Sequence, residues 1–205
     1  MDIQKYFEEG TQAERLLLVE GRDDDDFCQA ICVKEGLQHE IEILFYREHG
    51  ELSRALDVLV RQPGFERVRA IGLTRDSDNG AEAAHQSLRS AWGKAARTLD
   101  SIGKPAPAVF FFAVPNNTTK GRIEDLCLGS AALPAVLACA EQMRDCVLRT
   151  AAYEMDREKS LVCAYLAMME RPGLRLGVGA LQHYWNLDSE IIRPLRQFIR
   201  EIAGR

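Results

Sequence analysis

A chain of 205 residues, 46% hydrophobic and 28% charged with a net charge of −5, suits one domain, or one domain with a helical extension. The acidic balance excludes a strongly basic nucleic-acid coat, and no apolar run approaches the roughly 20 residues that span a bilayer. The opening stretch, MDIQKYFEEGTQAER, lacks the basic and apolar regions of a signal peptide, so a cytoplasmic protein without a membrane partner is expected.

In chain order, RLLLVE (15–20) reads as a buried strand stopped by Gly21. Residues 24–36 place Phe27, Ala30, Ile31 and Val33 at helical spacing and end on Gly36, a suitable C-cap. IEILFY (41–46) is a second strand, and 51–61 a second amphipathic helix closed by Pro63-Gly64. VRAIGLT (68–74) is a third strand, followed by a polar helix over about 81–98. AVFFFAVP (108–115) is the fourth strand. After residue 130 the pattern is helical: LPAVLACAEQMRDCVL, EKSLVCAYLAMME, and a last helix around 189–202.

Strands alternating with helices predict an α/β fold with a mostly parallel four-stranded sheet covered on both faces. Residues 1–130 form the core and 131–205 a helical extension packed on it, with no Gly/Ser linker between them. The six cysteines form no CxxC pair and have no histidine at zinc-ligand spacing, so reduced buried thiols are expected. The four histidines, His49 among them, have no nucleophile paired to them.

The acid excess lies in the part that carries the motifs: residues 1–140 hold 16 Lys/Arg against 22 Asp/Glu, the remainder 10 against 9. Open parallel sheets build sites beyond the carboxyl ends of their strands. Three acidic clusters fall there: Glu20-Gly21 with Asp23 to Asp26, then Asp76 and Asp78, then Lys120, Glu124 and Asp125 in PNNTTKGRIEDL. Neighbouring strands lie about 4.8 Å apart, so these groups can face one cavity. Carboxylates so close shift their pKa or bind cations. Oxygen-only ligation favours Mg²⁺ or Mn²⁺, and two ions are expected. Gly21 leaves room for a phosphate at the turn.

Each cluster also has a plainer explanation. Asp23 or Asp24 can cap a helix, Asp76 and Asp78 can form a turn before Asn79-Gly80, and Glu124-Asp125 can open a helix. Arg193, Arg196 and Arg200 share a helix face that is either a phosphate-contact surface or a solvated one. Tyr184 and Trp185 either stack on a base or belong to the core.

Glu20-Gly21-x-x-Asp24 after the first strand, with Asp76-x-Asp78 after a later one, resembles a TOPRIM domain, the metal-binding module of topoisomerases, primases and OLD-type nucleases. VPNNTTKGRIEDL and PGLRLGVGALQHYWNLDSEIIRPLRQFI are similar to segments of small stand-alone OLD-like TOPRIM proteins. The resemblance implies a Rossmann-like TOPRIM core over residues 1–130. It implies Glu20 as metal-bound general acid/base, Asp24, Asp76 and Asp78 as metal-binding acids, and Glu124 with Asp125 at a second metal position. Lys120 is the matching lysine near the scissile phosphate. The implied activity is a metal-dependent nuclease acting on DNA or RNA, a defence or toxin-like effector. OLD nucleases carry a fused ABC-type ATPase, but no P-loop GxxxxGK[ST] occurs here, so a separate ATPase would be the partner. A non-catalytic binding or regulatory module that retains the metal pocket is the alternative, and a homodimer is left open. A haloacid-dehalogenase-like domain fits less well, because its DxD follows the first strand. A receiver-like domain gives no role to Glu20 or to Glu124-Asp125.

Overall fold

Four strands carry the structure: β1 (Arg15–Val19), β2 (Glu42–Phe45), β3 (Ala70–Asp76) and β4 (Ala108–Val114). All pair in parallel in the order β2-β1-β3-β4. The computed structural model describes residues 11–46, 51–150 and 154–205. The opening ten residues and His49 lie outside these.

Each strand reads as a continuous apolar run because both faces of the sheet are covered. Leu17, Val19, Ile43, Phe45, Phe112 and Val114 point to one core; Leu16, Leu18, Leu44, Ile71 and Leu73 point to the other. Leu16 to Val19 are wholly buried. Burying each such side chain is worth about 1.5–3 kcal/mol, which fixes β1 at the centre.

The helices follow from the strand order. The chain passes from β1 to β2 in one direction, then from β2 to β3 and β4 in the other. Parallel crossovers keep one hand, so helices on opposite sides of that reversal cover opposite faces. Helix α1 (Arg22–Glu35) therefore packs with the first core, and α2 (Glu51–Arg61) and α3 (Ala81–Ser101) with the second. The reversal opens a crevice between the carboxyl ends of β1 and β3.

After β4 come α4 (Ile123–Gly129), α5 (Pro134–Thr150), α6 (Arg157–Ala167), α7 (Leu176–Leu181) and α8 (Arg193–Ala203). The core that holds Leu17 and Phe27 also holds Tyr165, Trp185, Leu195 and Ile199, so the extension shares the sheet's own core. Helix α8 lies directly over β3: a Cβ added at Gly72 would stand 2.2 Å from Ile202 Cδ1. By contrast α5 buries only Ala140.

Most boundaries shift by one to three residues from the sequence reading, and three of the shifts bear on the site or its supports. Strand β3 runs on to Asp76, because the ladder with β4 continues to the Asp76–Val114 pair. Helix α1 begins at Arg22, directly after Gly21. The last helix begins at Arg193 rather than 189, with Pro194 in its first turn. Of the cysteines, Cys28, Cys32 and Cys127 are buried, but Cys139, Cys146 and Cys163 are exposed on the extension.

The arginine stripe of α8 has a partner. Arg196 Nε and Arg200 Nε each donate to Glu35 at 2.6 Å, and Arg193 pairs with Glu190. The Glu35 side chain is only 6% exposed. Burial pushes its pKa up, but the bonds from Arg196 and Arg200 prevail and hold it below the usual carboxylate range. Its stabilisation is therefore present above the unfolded-state pKa and lost as pH falls through the lowered folded value. Glu35→Ala should cost roughly 2 kcal/mol, read as a lower urea midpoint with an unchanged slope. An unchanged midpoint would show that the pair of ion contacts is energetically idle.

Candidate metal centre

The crevice between β1 and β3 is where the acidic side chains meet. Glu20 directly follows β1, and its Oε2 accepts a hydrogen bond from Asp76 N at 3.4 Å. Asp24 occupies the third position of α1, where its Oδ2 accepts from Gly21 N at 3.2 Å. A Cβ on Gly21 would come 3.1 Å from that oxygen, so glycine gives the Asp24 carboxylate its clearance. The loop after β4 closes the third side: Gly121 O accepts from Ser77 N at 2.8 Å, tying the segment before α4 to the loop after β3.

The proximity of these groups shifts pKa values among them. Burial raises the Asp76 pKa well above the ordinary range, and the charges of Asp24, Glu20, Glu124 and Asp78 raise it further. Asp24 is raised for the same first reason, then by Glu20, Glu124 and Asp23. Burial also raises Glu124, against its own backbone N–H and the cations Arg122 and Lys159. Glu20, Asp24, Asp76, Asp78 and Glu124 thus belong to one electrostatic unit.

Asp76 Oδ1 is buried with no hydrogen-bond partner, and so is Ser77 Oγ beside it. A buried acceptor left without a donor is costly, and a proton, a water or a cation would each satisfy it. The donor set is oxygen throughout, which suits Mg²⁺ or Mn²⁺. As they stand, no three His, Cys, Asp or Glu side chains among the described residues are gathered tightly enough to hold an ion.

Other acids of the motifs are engaged elsewhere. Asp125 Oδ2 accepts from Arg122 N at 2.7 Å as the cap of α4. Asp23 Oδ1 accepts from Gly177 N at 3.2 Å, and Asp26 pairs with Arg175, so two of the four consecutive aspartates fasten α1 to α7. Lys120 is exposed on the loop preceding Gly121. Arg193, Arg196 and Arg200 are not brought to the cluster. Glu35 lies at the far end of α1, which runs back from the crevice, and it draws Arg196 and Arg200 there. Trp185 is 1% exposed, stacks on Tyr165 and donates to Leu176 O, which settles it as a core residue.

Two cations at the site escaped the sequence reading. Arg122 is 19% exposed and donates to both oxygens of Asp156 at 2.9 and 3.0 Å; it also stands 3.4 Å from Glu158 and 3.6 Å from Asp78. Lys159 is exposed on the first turn of α6, within electrostatic reach of Glu124. Arg122 lies inside GRIED, and its position in a motif already quoted is the one signal for it. Lys159 carries no local signal.

The family model described as "Protein of unknown function (DUF3226)" matches residues 14–204. No curated protein and no solved structure matches the chain. Among the described residues, no helix is long and apolar enough to cross a membrane.

Proposed function

The chain belongs to DUF3226, a family of proteins of unknown function, and we propose that it is a metal-dependent phosphodiesterase that cleaves nucleic acid. One observation carries the reading. At and beyond the ends of β1, β3 and β4, Glu20, Asp24, Asp76, Asp78 and Glu124 feel one another's charge, and burial and that repulsion raise the pKa of Asp24 and Asp76. The resemblance to OLD-like TOPRIM proteins gives that cluster its reaction.

Glu20, Asp24 and Asp76 would hold a divalent ion, with Asp78 and Glu124 at its margin. Bound there, the ion would polarise a phosphoryl oxygen and make water acidic enough to attack near neutral pH. The Glu20 carboxylate, just beyond β1, would take a proton from the attacking water or return one to the leaving oxygen. Lys120 and Lys159, both exposed at the rim, would meet the negative charge that builds on the phosphate. A separate ABC-type ATPase is the proposed partner that controls this activity in a defence setting.

Plasmid, single-stranded DNA and total tRNA incubated with Mg²⁺ or Mn²⁺ test the proposal. Wild type should cleave at least one of them, and Glu20→Ala should lower the rate by a factor of about 10² or more. Equal cleavage by both proteins would identify a contaminant. Metal binding without cleavage, even with candidate ATPases added, would favour a non-catalytic binding module built on the same pocket.

A further inference from the structure

The acids of the cluster differ in what already neutralises them. On the side of β1 and β3, no described cation pairs with Asp24 or Asp76, and Asp76 Oδ1 is buried without a partner. On the side of α4 the situation is reversed. Asp78 faces the Arg122 guanidinium at 3.6 Å, Glu124 feels the same positive charge, and Asp125 has committed Oδ2 to the Arg122 N–H. Arg122 is also fixed. Asp156 grips it with two hydrogen bonds and is itself fixed as the N-cap of α6, accepting from Lys159 N at 3.0 Å.

We propose that the centre binds a single divalent ion, held by Glu20, Asp24 and Asp76, and that the Arg122 guanidinium supplies the positive charge at Asp78 and Glu124 that a second ion would otherwise bring. The inference rests on the metal-dependent reading of the same site and replaces two ions by one ion and one fixed arginine. A guanidinium cannot be deprotonated in a protein and offers a planar fork to several acceptors at once. Held beside Asp78, it repels a second dication and leaves it no free pair of carboxylates. The extension takes a part in the site on this account, because Asp156 and Glu158 keep the arginine in place.

Mn²⁺ titration followed by the electron paramagnetic resonance of the free ion counts bound ions without reference to cleavage. Wild type should bind one Mn²⁺ per chain. Arg122→Gln should gain a second, weaker site. Asp76→Asn should weaken the single site at least a hundredfold, whereas Asp78→Asn should change it by less than about threefold. That contrast keeps the test decisive if Arg122→Gln does not fold. Two ions bound by wild type would overturn the inference and leave the metal-dependent reading intact. One ion in wild type and still one in a folded Arg122→Gln would also overturn it, since the arginine would not be what excludes the second. No Mn²⁺ bound by wild type would overturn both.

Discussion

Asp76→Asn should make the metal-free protein more stable while abolishing its affinity for Mg²⁺ or Mn²⁺. An asparagine keeps the shape of the side chain and removes a charge that burial, Asp24, Glu20, Glu124 and Asp78 all oppose. One pKa unit corresponds to 1.36 kcal/mol, and after allowance for coupled protonation the relief is on the order of 2 kcal/mol near neutral pH. For a chain of this size that is a rise in Tm of roughly 4–8 °C in the presence of a chelator. The same substitution removes the carboxylate best placed to hold an ion. Metal affinity should therefore fall by more than about 100-fold, beyond the loss expected for a partner that only orients a ligand.

The sign of the pH dependence follows. In the folded chain Asp24 and Asp76 keep their protons to higher pH than in the unfolded chain. The folded state then binds more protons wherever the unfolded carboxylates have ionised, so stability falls with rising pH. The contribution of these two groups should be most favourable below the ordinary aspartate range and decline as pH climbs through the raised values, while acids with lowered pKa such as Glu35 and Asp156 lose theirs at the acid end. Saturating Mg²⁺ should flatten the decline, because binding to the folded state alone adds stability. Thermal melts of wild type and Asp76→Asn across pH, with chelator and with Mg²⁺, measure both effects. A difference in stability between Asp76→Asn and wild type that does not grow as pH rises would overturn this account, as would a variant no more stable than its parent at neutral pH.

This trade of stability for charge was partly visible in the residues themselves. A buried run such as Leu16 to Val19 followed by Glu20 and Gly21 announces a central strand with a charged tip, because nothing in packing calls for a glutamate there. The Asp76-x-Asp78 spacing was equally plain. What local pattern cannot encode is which of two adjacent acids faces the cavity. Glu124 and Asp125 are neighbours on one short helix, and about 100° of rotation sends the first toward the cluster and the second back to cap its own helix. Nor can it reveal partners supplied from far along the chain. The stripe of Arg193, Arg196 and Arg200 is real as a helix face, yet Arg196 finds Glu35 across 161 positions of sequence and turns from a candidate phosphate contact into a structural ion pair. Asp156 meets Arg122 across 34 positions, so the extension's share in the site was equally hidden.

The tightest link between extension and site lies at Gly177, and Gly177→Ala should destabilise the protein although it replaces glycine inside a helix. In an isolated helix that exchange is worth about 1 kcal/mol in the opposite direction. Here α7 crosses α1 so closely that a Cβ at Gly177 would stand 2.3 Å from Asp23 O and 2.6 Å from Asp26 Cβ. Backbone on the facing helix cannot rotate aside as a side-chain tip can, so the helices must separate. Separation stretches the Gly177 N–Asp23 bond and the Arg175–Asp26 ion pair, and it loosens Leu176 and Ala180 from the shared core. The net cost should be about 3 kcal/mol, a fall in Tm of roughly 6–12 °C. Metal affinity should weaken as well, because Asp23 and Asp24 share the first turn of α1 and a displaced helix start moves the Asp24 carboxylate away from Glu20 and Asp76. Calorimetric melting and Mn²⁺ titration of the same preparation report the two effects together. A Gly177→Ala protein as stable as wild type would mean that α7 and α1 are not in this contact, and the extension would lose its hold on the site.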